Sequence, residues 1–140
     1  MKLDVVTPKG ARISDMDVQE VTLPGFLGEM GILPGHIAMM AGLGVGPMLV
    51  KDDKGREVSY ALSGGYVEVL GDRVRVLSET CEKADEIDLD LARQKLERAR
   101  QRLDQLSPAD GESYHVALNS VRKHETRIEV AEKAVRADRS

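Results

Sequence analysis

The residues with the means for chemistry are few. Glu29 and His36 lie in the run Gly28–Met40, "GEMGILPGHIAMM", which carries three glycines, a proline and otherwise mostly apolar side chains. A carboxylate near an imidazole is raw material for general acid–base catalysis, yet no activated nucleophile accompanies this pair. His36 is the single histidine of residues 1–84, so a cluster of several imidazole ligands cannot form there. His115 and His124 are nine residues apart, which is not a chelating interval on a helix. His124 also falls on an apolar stripe, the usual place of a satisfied seam histidine. Two glycine-rich runs fail as catalytic motifs. "GLGVG" at 42–46 leads into a strand-like segment rather than a helix, and "LSGGY" at 62–66 lacks the glycine two before Ser63 that a nucleophile elbow needs. Cys81 has Glu79 and Glu82 beside it, which raise a thiol pKa and keep it unreactive. No enzyme constellation emerges.

Composition narrows the classes further. A chain of 140 residues, 41% apolar and 31% charged, builds one or two small soluble domains. A net charge of −4 argues against nucleic-acid binding, which needs a basic surface. One cysteine excludes an intrachain disulfide and a cysteine-based zinc site, in keeping with a reducing compartment. The N-terminal "MKLDVV" reads as neither a signal nor a transit peptide. The longest run free of charged residues and histidine, Ile37–Val50, is 14 residues with three glycines and a proline, too short to span a bilayer as a helix.

Two periods divide the chain. Residues 1–79 hold most of the glycines and alternate apolar with polar residues, as in "VQEVTL" at 18–23, "EVSYAL" at 57–62, "YVEVL" at 66–70 and "RVRVLSE" at 73–79. Turn signals separate them: "DDKG" at 52–55, "SGG" at 63–65 and "GD" at 71–72. About eight to ten short strands in an antiparallel sandwich or flattened barrel are expected. Beyond Thr80 the apolar residues Leu89, Ala92, Leu96, Ala99, Leu103 and Leu106 step by three and four. "SPADGE" at 107–112 interrupts, and Tyr114, Ala117, Val121, His124, Ile128, Ala131 and Val135 resume the spacing. This predicts an antiparallel helical hairpin, closely packed at its alanines, with Asp88 as the first N-cap. Residues 79–90 carry net charge −5, and residues 93–102 carry +4. The basic segment is either a solvated, dipole-complementing face or a docking surface for an acidic partner.

The runs "LDVVTP" at 3–8, "VTLPGFLGEMGILPGH" at 21–36, "ALSGGYVEV" at 61–69 and "DLDLAR" at 88–93 together resemble the ε subunit of bacterial F-type ATP synthase. The resemblance runs in order along the whole chain. It implies a ten-stranded flattened β-sandwich over residues 1–84, followed by a two-helix regulatory arm over residues 85–140. It implies a non-catalytic rotor subunit at the foot of the central stalk, bound to the γ subunit and to the polar loops of the c-ring. Glu29, Gly31 and His36 match the loop that meets the c-ring, and Ser63 matches a position near γ. Gly31, Pro34 and Gly35 also suit a tight turn. The location implied is peripheral, on the cytoplasmic side of the bacterial plasma membrane.

The arm of this family folds against the sandwich or extends along γ towards the catalytic α and β subunits, where it blocks ATP hydrolysis. Arg98, Arg100 and Arg102 would then form the inhibitory basic face. No cofactor is implied as a requirement, but some relatives bind regulatory ATP on the folded hairpin through an I/L-D-x-x-R-A motif and arginines of the second helix. Leu89, Asp90 and Arg93 match that motif, with Gln94 in place of the alanine. Arg127 matches one arginine, and Lys123 stands for another. Arg93 and Arg127 both lie about 20 Å from the turn, which would let them converge on one phosphate; the alternative is a pair of solvated arginines. Lysine for arginine removes a bidentate fork and weakens such a site. A rival reading is a stand-alone ATP-sensing module, which would bind ATP without γ and leave an ATPase unaffected.

Overall fold

The computed structural model describes residues 1–138. Seven strands come first: β1 (Lys2–Thr7), β2 (Gly10–Gly25), β3 (Gly28–Ile32), β4 (Met39–Asp52), β5 (Glu57–Leu70), β6 (Arg73–Leu77) and β7 (Cys81–Lys83). They run in the order β1-β6-β5-β4-β2-β3, and β1 also pairs with β2, which closes a barrel. All neighbours are antiparallel except β1 and β6. The count falls below the expected eight to ten because β2, β4 and β5 are 14 to 16 residues long. Register shifts between Val18 and Glu20 and between Thr22 and Gly25 bend β2 without ending it, as bulges do.

"SGG" at 63–65 is therefore not a turn. Ser63 pairs with Val45 and Gly65 with Leu43, so the strand runs through. Gly64 and Gly65 both have positive φ (80° and 111°), and a Cβ on Gly65 would fall 1.8 Å from the Leu77 carbonyl oxygen. Only glycine permits that approach between β5 and β6. "DDKG" does turn, because the Asp52 carboxylate accepts from the backbone N–H groups of Lys54 and Arg56, each at 2.9 Å.

The barrel core is built from alternating residues, among them Leu3, Val5, Val21, Leu23, Met48, Val50, Leu62, Val67, Val74 and Val76. Ala61 breaks the alternation. It lies between Tyr60 and Leu62, points outward, and is buried all the same because the helices cover it.

After a 3-10 turn at Ala84–Glu86, helix α1 (Leu89–Asp104) and helix α2 (Glu112–Asp138) form the expected hairpin. Asp88 caps α1 by accepting from the Leu91 N–H at 3.1 Å. Pro108 opens a second 3-10 turn, and Gly111 ends it at φ 63°. Leu96, Ala99 and Val121 make the seam between the helices. A second cluster of Ala61, Ile87, Ala92, Val130 and Ala131 fastens the hairpin to the barrel. Thr126 and Val130, off the predicted stripe, are buried because α2 packs on the barrel as well as on α1. The arm is thus folded down.

Candidate docking tip and helical arm

The stretch Gly28–Met40 is only partly a loop. Glu29 and Gly31 belong to β3, paired with Pro24 and Thr22, so Gly31 serves a strand and not a tight turn. The turn lies at Leu33–His36, closed by the His36 N–H donating to the Leu33 carbonyl at 3.1 Å, with Gly35 at φ 83°. Proline and then a positive-φ glycine are the type II pattern. The His36 Nδ1 lies 2.9 Å from its neighbour's carbonyl, at Ile37, and no catalytic partner faces it.

The segment that carries Glu29 exposes unusually many apolar side chains. Phe26 and Leu27 form the tip of the β2–β3 hairpin and are 76% and 105% exposed, while Leu33, Ile37 and Met40 are also exposed. Phe26 rests on Gly42, where any Cβ would enter its ring. Exposed apolar residues clustered in this way mark a contact surface rather than a solvated one. The sequence held a signal for this: Glu29 is the one charged residue between Val21 and Val50. Ser63 is half-buried on β5, with its Oγ 2.5 Å from Thr80 Oγ1, and shares a cleft with Phe26. That cleft lies beneath α2 and is also lined by Asn119, Ser120 and Lys123.

In the arm, the residues matched to an ATP motif do not meet at one point. Arg93 donates to Glu132 at 3.3 Å and lies 3.8 Å from Asp90. Arg127 pairs instead with Glu82 of β7, Nε to Oε1 at 2.9 Å and Nη2 to Oε2 at 3.3 Å. Its Nε–H is buried and off hydrogen-bond alignment, so this contact is held mainly by charge. Leu89 lines a cleft of about 510 Å³ at the linker, floored by Ile87, Val130 and Ala131. Lys123 and Arg127 line a different cleft of about 310 Å³, along with Lys9, Arg12 and Lys95. Each arginine thus has a carboxylate of its own chain where the motif would place a phosphate.

The basic segment of α1 also divides. At about 100° per residue, Arg93 and Arg100 fall on one flank of the buried stripe and Lys95, Arg98 and Arg102 on the other. The first flank is zipped to α2 by Arg93–Glu132 at 3.3 Å and Arg100–Glu125 at 3.9 Å, two rungs seven residues apart on each helix. Arg98 and Arg102 are exposed, and Arg100 shares a flank with neither. Sequence reasoning missed Glu82, Glu125 and Glu132. The heptad offset between arginines and glutamates could have disclosed the two rungs, but a partner on β7 could not be read from spacing.

Burial is the main cause that pushes the Cys81 thiol up to about 11, with Glu86 and Glu82 adding to it against the opposing charge of Arg12. The acidic neighbours inferred from sequence are secondary.

Among the described residues no helix is long and apolar enough to cross a membrane. Residues 1–84 match the family model of the ATP synthase Delta/Epsilon chain β-sandwich domain. The "ATP synthase epsilon chain" of Geotalea uraniireducens is 43% identical over 136 residues, covering 97% of this chain and 96% of that one. "ATP synthase epsilon chain 2" of Syntrophotalea carbinolica is 45% identical over 132 residues, covering 94% and 93%. Among solved structures, a chain of the mitochondrial ATP synthase of Euglena gracilis, in an assembly of OSCP, F1 and c-ring, superposes with a TM-score of 0.80. That likeness spans 94% of this chain and 81% of the other at 23% identity, and it concerns the fold. With both its barrel and its arm accounted for, the chain belongs to the ATP synthase epsilon family, whose members are non-catalytic subunits.

Proposed function

We propose that this chain is the central-stalk rotor subunit of an F-type ATP synthase, coupling ion translocation to ATP synthesis and restraining ATP hydrolysis through its arm. The observation that carries the reading is the run from Phe26 to Met40, which exposes Phe26, Leu27, Leu33, Ile37 and Met40 and carries the lone carboxylate of Glu29. A protein working alone gains nothing by exposing those side chains to water. Glu29, Gly31 and His36 on this surface meet the polar loops of the c-ring, and the barrel flank around Ser63 meets γ. The complex sits at the cytoplasmic face of the bacterial plasma membrane.

The folded arm is the permissive state. Extended along γ, it presents Arg98 and Arg102 to an acidic surface of the catalytic α and β subunits, joined by Arg93 and Arg100 once the rungs to α2 part. The family likeness and the modest interface between arm and barrel support this two-state reading. A second reading has one observation in its favour: Lys123 and Arg127 line a cleft with other cations, where ATP could bind and hold the arm down. Such binding must first displace Glu82 from Arg127, so it is weak.

The test uses a catalytic core stripped of its own epsilon subunit. ATP hydrolysis is measured with the full chain or with a version ending at Ala84, which keeps every residue of the barrel core. Both versions should bind the core, and only the full chain should inhibit. Binding by neither, with a core from a close relative, would reject the rotor reading.

A further inference from the structure

Arg127 is the junction between arm and barrel. Its side chain is 11% exposed and that of Glu82 is 23% exposed. Two of its three nitrogens face Glu82, and the third, Nη1, lies 3.3 Å from Nδ1 of His124, one turn earlier on α2. A guanidinium can only donate, so this last contact is a hydrogen bond only while Nδ1 keeps its lone pair. The imidazole must be neutral, with its proton on Nε2. Proton uptake at Nδ1 would replace the hydrogen bond with two cations at contact distance.

We propose that His124, Arg127 and Glu82 form an acid-sensitive latch, in which protonation of His124 releases the arm from the barrel. The charges around the imidazole make this a one-way device. On its own helix His124 faces Lys123 and Arg127, and across the seam it faces Lys95 of α1 and Glu82 of β7. The cleft it lines is completed by Lys9, by the Arg12–Glu86 ion pair, and by Glu79. Arg12 and Glu86 neutralise each other, as do Arg127 and Glu82. Lys9, Lys95 and Lys123 then outnumber Glu79, and Arg122 lines the adjoining cleft. Glu79 is the one carboxylate of this cleft outside an ion pair, and three lysines already compete for it before a further positive charge arrives.

Burial first, and then Arg127, Lys123 and Lys95, hold the His124 pKa below its ordinary value against the opposing pull of Glu82. The linkage sign follows. The folded arm binds fewer protons than the released arm, so its advantage is full above the released-arm pKa, near 6.5 for a free imidazole, and declines as pH falls through that value. Below the folded-arm pKa the loss is complete. Each unit between the two pKa values shifts the folded-to-released ratio by about tenfold. The regulatory consequence, tighter restraint of hydrolysis in an acidified cytoplasm, rests on the rotor reading. The latch itself does not.

Spin labels on Lys54→Cys and Ser107→Cys in the full chain would report arm position by pulsed distance measurement between pH 8 and pH 5. Histidine NMR on the unlabelled chain would give the titration of His124. The expected outcome is one distance at pH 8 and a second, broader population growing below about pH 6.5. His124→Gln should abolish the pH response and stay folded down, and His124→Lys should release the arm even at pH 8. Methyl signals of Val67 and Val76 would certify an intact barrel in every variant. An unaltered pH response in His124→Gln, or a His124 pKa at or above the free value in the folded arm, would overturn the latch. Acid release in the isolated chain without any change in the hydrolysis assay would support the latch while counting against the inhibitory role of the arm.

Discussion

Gly65 carries a constraint that its neighbours do not share. At φ 111°, with the Leu77 carbonyl 1.8 Å from where a Cβ would be, Gly65→Ala must push β6 away from β5 as well as strain its own backbone. A loss of about 2 kcal/mol or more is expected in urea unfolding. Gly31 is a useful contrast. Its φ is not positive, and an added Cβ would find only Glu20 Oε1, at 3.9 Å. Gly31→Ala should cost under about 0.5 kcal/mol, so weaker binding to the membrane sector in that variant would be an effect of the interface and not of the fold. Cys81 offers a further check. Buried, with its pKa pushed up to about 11, it should resist a thiol-exchange reagent at pH 8 until the barrel unfolds. A thiol that reacts in the native protein would mean that β7 leaves β5 far more often than its packing implies. At this scale the sequence was only half legible. The glycine positions announced unusual backbone, but "SGG" reads as a turn, and only the pairing of Ser63 with Val45 and Gly65 with Leu43 shows a continuous strand.

The helical elements were the most legible part. Three- and four-residue steps gave both helices, Asp88 caps α1 as expected, and Pro108 and Gly111 lie in the turn between the helices. What the spacing could not give was the second partner of α2. Its burial of Val130 and Thr126 against the barrel follows a face that a search for a single stripe passes over. The arginines show the same limit. Grouped by sequence, Arg98, Arg100 and Arg102 look like one face, but helical geometry sets Arg100 opposite Glu125 and leaves Arg98 and Arg102 on the other flank. The two sets should therefore behave differently. Arg98→Glu with Arg102→Glu is expected to weaken inhibition of hydrolysis several-fold while thermal unfolding and γ binding stay unchanged. Arg100→Glu sets two acids against each other and should loosen the hairpin by about 0.5 kcal/mol, since both partners are more than half exposed. Equal loss of inhibition and of γ binding in the double variant would refute the division of labour between arm and barrel.

The molecule as a whole pairs a rigid body with a weakly fastened one. Of the five buried side chains in the cluster that clamps the arm to the barrel, three are alanines (Ala61, Ala92 and Ala131), which bury far less apolar area than the leucines and valines within the barrel. The arm can leave without unfolding what it rests on, because the barrel core draws on no residue beyond Cys81. Glu29 belongs to the rigid body. It sits in β3, one register step from the hairpin tip, exposed and without an ion-pair partner among the described residues. Reversing its charge removes nothing that the fold uses. Glu29→Lys is therefore expected to leave the unfolding midpoint within about 0.5 kcal/mol of the parent, as for an exposed substitution away from any buried feature. It should still lower ATP-driven proton pumping in membranes carrying the assembled enzyme, because a lysine brought against a surface chosen to meet a carboxylate repels it. The decisive quantity is pumping per ATP hydrolysed rather than the hydrolysis rate. A variant that folds, assembles and pumps with undiminished efficiency would show that the carboxylate is incidental, and that the apolar side chains around it carry the contact alone.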